Sequence, residues 1–133
     1  MKLKSLILAV LAVAFVAQAE AQQHPKREFR GAWIHTVHQK QYAAMTSEQT
    51  QAYLVNMVDS LQLAGINAIL WQIRPSADAL YPSELEPWSR YLTGTAGQAP
   101  DPMWDPLQFM IDECHKRNIE LHAWINPYRV TTV

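Results

Sequence analysis

The sequence predicts an α/β fold, the first three βα-type units of a (β/α)8 TIM-like barrel, incomplete in this chain. Three observations carry that expectation. Strand-like and helix-like segments alternate as strand, helix, strand, helix, strand, which implies a parallel sheet with right-handed crossovers. Gly65-Ile66 and Asn118-Ile119 open matching turns, and Trp71 and Trp124 each lie six residues after the turn residue. The first strand runs into His35-Thr36-Val37-His38-Gln39, with no glycine. An open doubly wound sheet carries a glycine-rich phosphate loop there.

The elements follow in order. Lys2 and Lys4 precede an apolar run from Leu6 to Val16, and Ala17-Gln18-Ala19 and Ala19-Glu20-Ala21 are small-x-small cleavage sites. Residues 1–21 are therefore expected to be a signal peptide that exports the chain to the periplasm or the extracellular space. The run is short of the roughly 20 residues of a membrane span, so no stable membrane anchor is expected. Residues 22–28 read as a short leader, and residues 29–133 as the barrel-type domain. Phe29 to Thr36 reads as the first strand. Thr46 with Gln49 makes a capping box, and Tyr53, Leu54, Met57, Val58 and Leu61 form one apolar helical face. Gly65 ends that helix, and Ile66 to Ile73 is the second strand.

A long segment, Arg74 to Trp104, follows and holds five of the eight prolines. Loops of this length are often functional. Asp105-Pro106 starts the next helix as cap and first residue. Leu107, Met110, Ile111 and Cys114 share its apolar face, and Cys114 reads as a small core hydrophobe. Asn118 ends this helix, and Ile119 to Ile125 is the third strand. Three strands cannot close a barrel of roughly 250 residues. The chain is therefore expected to be part of a longer protein, and to fold poorly alone because its outer strands have open edges.

The composition narrows the function. The net charge is −1, which offers no basic footprint for nucleic acid. A lone cysteine cannot make an internal disulfide, so an exported chain must rely on its core. Five Trp and five Tyr are a rich supply of aromatic surface, for a core or for platforms under sugar rings. The sequence does not give the oligomeric state.

In barrels the active site lies at the C-terminal ends of the strands. There the first strand offers Trp33 and His35, the second Gln72 and Arg74, and the third His122, Trp124 and Asn126, followed by Tyr128 and Arg129. Strand alternation groups Gln72 with Arg74, and His122 with Trp124 and Asn126, on the inward face. A metal reading rests on His35, His38 and His122. Metal-dependent barrel hydrolases typically use His-x-His on the first strand, whereas His35 and His38 would point to opposite faces. No metal and no cofactor is expected. Glycosidases need two carboxyl groups. The candidates here are Asp78, Glu84, Glu86 and Asp101, all in the long loop. Asp78 is the nearest to a strand end, and it reads equally well as a turn cap or a partner of Arg74. The catalytic pair is expected on later strands.

Phe29-Arg-Gly-Ala-Trp33, Gln72-Ile-Arg-Pro75, Asp78-Ala-Leu-Tyr81, Glu86-Pro-Trp-Ser89, Leu92-Thr-Gly94, Asp105-Pro-Leu107 and His122-Ala-Trp-Ile-Asn-Pro-Tyr-Arg129 occur in that order. With these motifs the chain resembles the amino-terminal part of glycosyl hydrolase-like family ten, a bacterial group of barrel glycosidases. The resemblance implies an exported or envelope enzyme acting on glycans, with peptidoglycan glycan strands a leading substrate class. Family members often carry an Asn-Ile-Asp-Trp-Pro-like stretch after the first strand. This chain has His38-Gln-Lys-Gln-Tyr42 instead. A glycan would rest against Trp33, Tyr81, Trp88, Trp124 and Tyr128, with hydrogen bonds from Gln72, Arg74, His122, Asn126 and Arg129. Two other readings stand beside the enzyme: a non-catalytic carbohydrate-binding protein on the same scaffold, and a truncated product with no activity of its own.

Overall fold

The structure, a computed structural model, describes residues 28–129. The expected signal peptide lies outside the described residues. Among the described residues, three strands and three α-helices follow in order: β1 (Gly31–Ile34), α1 (Ser47–Leu63), β2 (Ala68–Arg74), the short α2 (Arg90–Thr93), α3 (Pro106–His115) and β3 (Glu120–Ile125). A turn of 3₁₀ helix at Tyr42–Ala44 precedes α1. The sheet is parallel and runs β1-β2-β3 without reversal.

Local chemistry sets the helix ends. The Thr46 side chain accepts from the Gln49 backbone N–H, and the Gln49 side-chain oxygen accepts from the Thr46 N–H. The Asp105 carboxylate accepts from the N–H groups of Leu107 and Gln108, at 3.0 and 3.1 Å. Pro106 opens α3, where a missing N–H costs nothing. Gly65 and Asn118 both take the left-handed conformation just beyond their helices, with φ of 80° and 56°.

The core lies on one side of the sheet. Leu54 and Val58 of α1 and Met110 and Cys114 of α3 pack on Ile69, Trp71 and Ile73 of β2, with Ile119 at the foot of β3. Cys114 is fully buried, and that burial pushes its thiol up to about 11. It acts as a small hydrophobe. Both long helices therefore cover the same face. A small α/β unit with successive helices on one face of a parallel sheet is compatible with the start of a barrel. A doubly wound sheet would place helices on both faces.

β1 is shorter than the strand read from Phe29 to Thr36. Beyond Ile34 the chain leaves the ladder, because Thr36 turns its own polar groups onto Gln72 of β2. The long segment also contains α2, whose four residues are too few for a periodic signal. Along β2 and β3 the register shifts between Gln72 and Arg74: Gln72 pairs with Trp124 and Arg74 with Ile125. Among the described residues no helix is long and apolar enough to cross a membrane.

A network of four charged residues ties the helices together. Arg117 donates to Asp59 of α1 at 2.5 Å and to Glu113 of α3 at 2.7 Å, and Lys116 also donates to Glu113 at 2.5 Å. Lys116 first, and then Arg117, hold the Glu113 carboxyl below the usual carboxylate range. A lowered folded pKa adds stability that is complete above the ordinary carboxylate value and is lost as pH falls through the folded value. Glu113→Gln should therefore cost up to about 1 kcal/mol at neutral pH, the range of a solvated ion pair. The cost should vanish in acid. Urea denaturation at neutral and acidic pH checks this, and an equal cost at both would contradict it.

Candidate functional site

Among the described residues, no helix covers the other face of the sheet. Register places Trp33, Leu70 and His122 side by side across the three strands, with Gln72 and Trp124 one step nearer the C-terminal end. Trp33 meets Trp124 edge to face, with ring centroids 5.1 Å apart. Trp33 remains 66% exposed. Phe29 touches His122 in the same manner at 5.8 Å. The imidazole of His122 lies 3.3 Å from the Glu120 carboxylate. Trp33, Trp124, Phe29 and His122 thus share the sheet face opposite the helices.

At the end of β2, Gln72 is only 1% exposed. Its side-chain oxygen accepts from the backbone N–H groups of Thr36 and Val37, at 2.8 and 3.1 Å. Its backbone carbonyl accepts the Thr36 hydroxyl at 2.5 Å. Gln72 thus fixes the exit of β1. Two residues on, Arg74 forms an ion pair with Glu86. The pair stays in reach of solvent, with 27% of the Arg74 side chain and 20% of the Glu86 side chain exposed. Glu86 reaches this point because the long segment folds back. Leu80 N–H donates to Ile73, Ala79 N–H to Pro87, and Ser89 N–H to Ala79.

Asn126 closes the other side. Its backbone N–H donates to the Arg74 carbonyl at 3.0 Å, and its side-chain amide donates to the Pro75 carbonyl at 3.1 Å. Its side-chain oxygen accepts the Trp124 indole N–H at 3.0 Å. Trp124 is thereby fixed in orientation, which suits a platform for a flat ligand face.

The remaining candidates are placed as follows. Asp78 is 5% exposed, and its carboxylate accepts the Ser76 N–H at 2.7 Å, so it shapes its own turn. Arg74 pairs with Glu86, the partnership considered for Asp78. Tyr81 packs against the helix-side core. Trp88 is half-buried and bridges to Ala79. Tyr128 is 94% exposed, and Arg129 is exposed beside it. Glu84 and Asp101 are exposed loop residues. His35 contacts the Gln39 side chain at 3.0 Å, and His38 sits in a left-handed turn with φ of 67°. Among the described residues no three His, Cys, Asp or Glu side chains are grouped to hold a metal ion. A separate cavity of about 170 Å³ lies between the start of α1 and the segment before α3, lined by Thr46, Thr50, Gln98, Asp101 and Trp104 among others. The Glu86 partnership and the role of Thr36 have no signal in the sequence. No spacing in the sequence announces a contact made across twelve residues of loop.

A three-strand parallel sheet with helices on one face defines a small α/β unit compatible with the start of a barrel. Residues 28–133 match the family described as glycosyl hydrolase-like 10, and the chain belongs to that family. It is 47% identical over 135 aligned positions to "Glycosyl hydrolase YngK" of Bacillus subtilis (strain 168), covering 97% of this chain and 25% of that protein. It is 39% identical over 119 positions to "Glycosyl hydrolase DigH" of Escherichia coli (strain K12), covering 82% of this chain and 27% of that protein. The chain thus spans about a quarter of the curated relatives it matches.

Gln72→Leu keeps most of the volume but removes the acceptor of two buried N–H groups. It should destabilise the fold by about 2–4 kcal/mol, because an unsatisfied buried donor costs about 1–3 kcal/mol. Urea denaturation measures this, and a loss within ~0.5 kcal/mol would show that Gln72 does not set the β1 exit.

Proposed function

We propose that this segment is the first part of a (β/α)8 glycoside hydrolase, and that the C-terminal ends of its strands form part of the glycan-binding floor. The family match and the relatives' names support the reaction class. The observation that carries the assignment of the floor is the Trp33–Trp124 pair beside Arg74, Glu86 and Asn126. Aromatic rings suit the C–H faces of sugars, and the polar groups suit their hydroxyls. Further strands of a longer polypeptide complete the barrel. They supply the acid and the nucleophile or base of the two-carboxylate mechanism.

The proposed substrate is a bacterial glycan, with peptidoglycan glycan strands foremost, and the proposed location is the periplasm or the cell exterior. The apolar run and cleavage sites at the start of the chain support export. The test uses the full-length polypeptide that carries this segment, incubated with peptide-free peptidoglycan glycan strands. Reducing ends should be released at enzymatic rates. Trp124→Ala should raise KM about tenfold or more, the scale of one lost stacking contact on a sugar face. Circular dichroism then shows whether the variant is folded. No release from peptidoglycan strands or from N-acetylglucosamine oligomers would overturn the proposal.

A further inference from the structure

We infer that Glu86, seated against Arg74, is the carboxylate of this segment that binds substrate, and that the two side chains together grip one neutral sugar unit. The inference rests on the reading of the strand ends as a glycan floor, and it deepens that reading.

The structure separates the two carboxylates nearest the end of β2. Asp78 is buried, with one oxygen committed to the Ser76 N–H. Glu86 lies farther along the chain, yet the fold returns it to Arg74. The return is built from backbone bonds: Leu80 to Ile73, Ala79 to Pro87 and Ser89 to Ala79. Ser83 Oγ accepts the Glu86 N–H at 3.1 Å and fixes the turn from which the carboxylate projects. Both members of the pair keep part of their surface open. They also stand beside the Asn126 and Trp124 group, since Asn126 N–H donates to the Arg74 carbonyl.

The chemistry then selects a ligand class. A guanidinium offers only N–H donors, and a carboxylate offers only acceptors. Set side by side, they match a ring that presents an O–H donor next to an oxygen acceptor, such as a hydroxyl beside an acetamido carbonyl. The pair carries no net charge. Glu86 repels an anionic ligand and Arg74 repels a cationic one, so a neutral sugar is favoured over a phosphate, an acid or an amine. Such bonds to charged groups are stronger than those between neutral groups.

The test titrates the full-length polypeptide with the tetramer of N-acetylglucosamine, reading tryptophan fluorescence for Kd and thermal melting for stability. Glu86→Gln keeps the shape but removes the charge and turns one acceptor into a donor. It should weaken binding about tenfold or more, the scale of a lost hydrogen bond to a charged group. The pair is part-buried, so the melting temperature and circular dichroism are read alongside Kd to confirm that the variant is folded. Glu84→Gln removes an exposed carboxylate from the same loop and should leave Kd unchanged. Unaltered Kd in Glu86→Gln would overturn the inference, and so would equal weakening by Glu84→Gln, since loss of any loop charge would then account for the effect. Absence of binding by the unaltered protein would instead remove the glycan-floor reading beneath it.

Discussion

Strand β2 must satisfy a neighbour on each edge and two different surroundings on its faces, and the structure depends on that constraint. Its ladder bonds go to β1 on one side and β3 on the other. Ile69, Trp71 and Ile73 turn toward α1 and α3 and close the core. The opposite face cannot be uniformly apolar, because the strand ends there in polar groups. Gln72 resolves the conflict. It is a buried polar residue whose oxygen is consumed by Thr36 and Val37, as burial of an amide requires. One side chain therefore completes β2 and ends β1.

The same logic extends to the long segment after β2. A loop of this length pays conformational entropy to be held in one place. Here its bonds go back to elements already fixed: Leu80 to Ile73, and the Asn126 side chain to the Pro75 carbonyl. The segment thus lies against β2 and β3 and carries Glu86 with it. The strand ends and the loop form one surface, with Arg74 linked to the loop through Glu86 and to β3 through Asn126.

What could be read from the sequence was what nearby residues decide. Thr46 with Gln49, Asp105 with Pro106, Gly65 and Asn118 each act within a few positions, so the helix ends were legible. The division of β2 into a core-facing row and an opposite row followed from alternation. The early end of β1 was not legible, because it depends on a side chain 36 residues away. Neither was the partner of Arg74. Proximity in sequence favoured Asp78, but the backbone turns that carboxylate onto Ser76, and the fold brings Glu86 from the far side of the loop. Tyr81 belongs to a motif shared with the strand-end residues, yet it packs on the helix-side core. Motif membership does not say which face a loop residue takes.

In the proposed barrel the C-terminal strand ends, and not the outer helices, meet the glycan. Hydroxyl-radical footprinting of the full-length polypeptide, with and without an N-acetylglucosamine oligomer, tests it most directly. Trp124 and Tyr128, at the end of β3 and just beyond it, should become protected on binding. Tyr53 and Leu63, exposed on α1, should be unchanged. Protection of Tyr53 or Leu63, with none at Trp124 and Tyr128, would contradict the account.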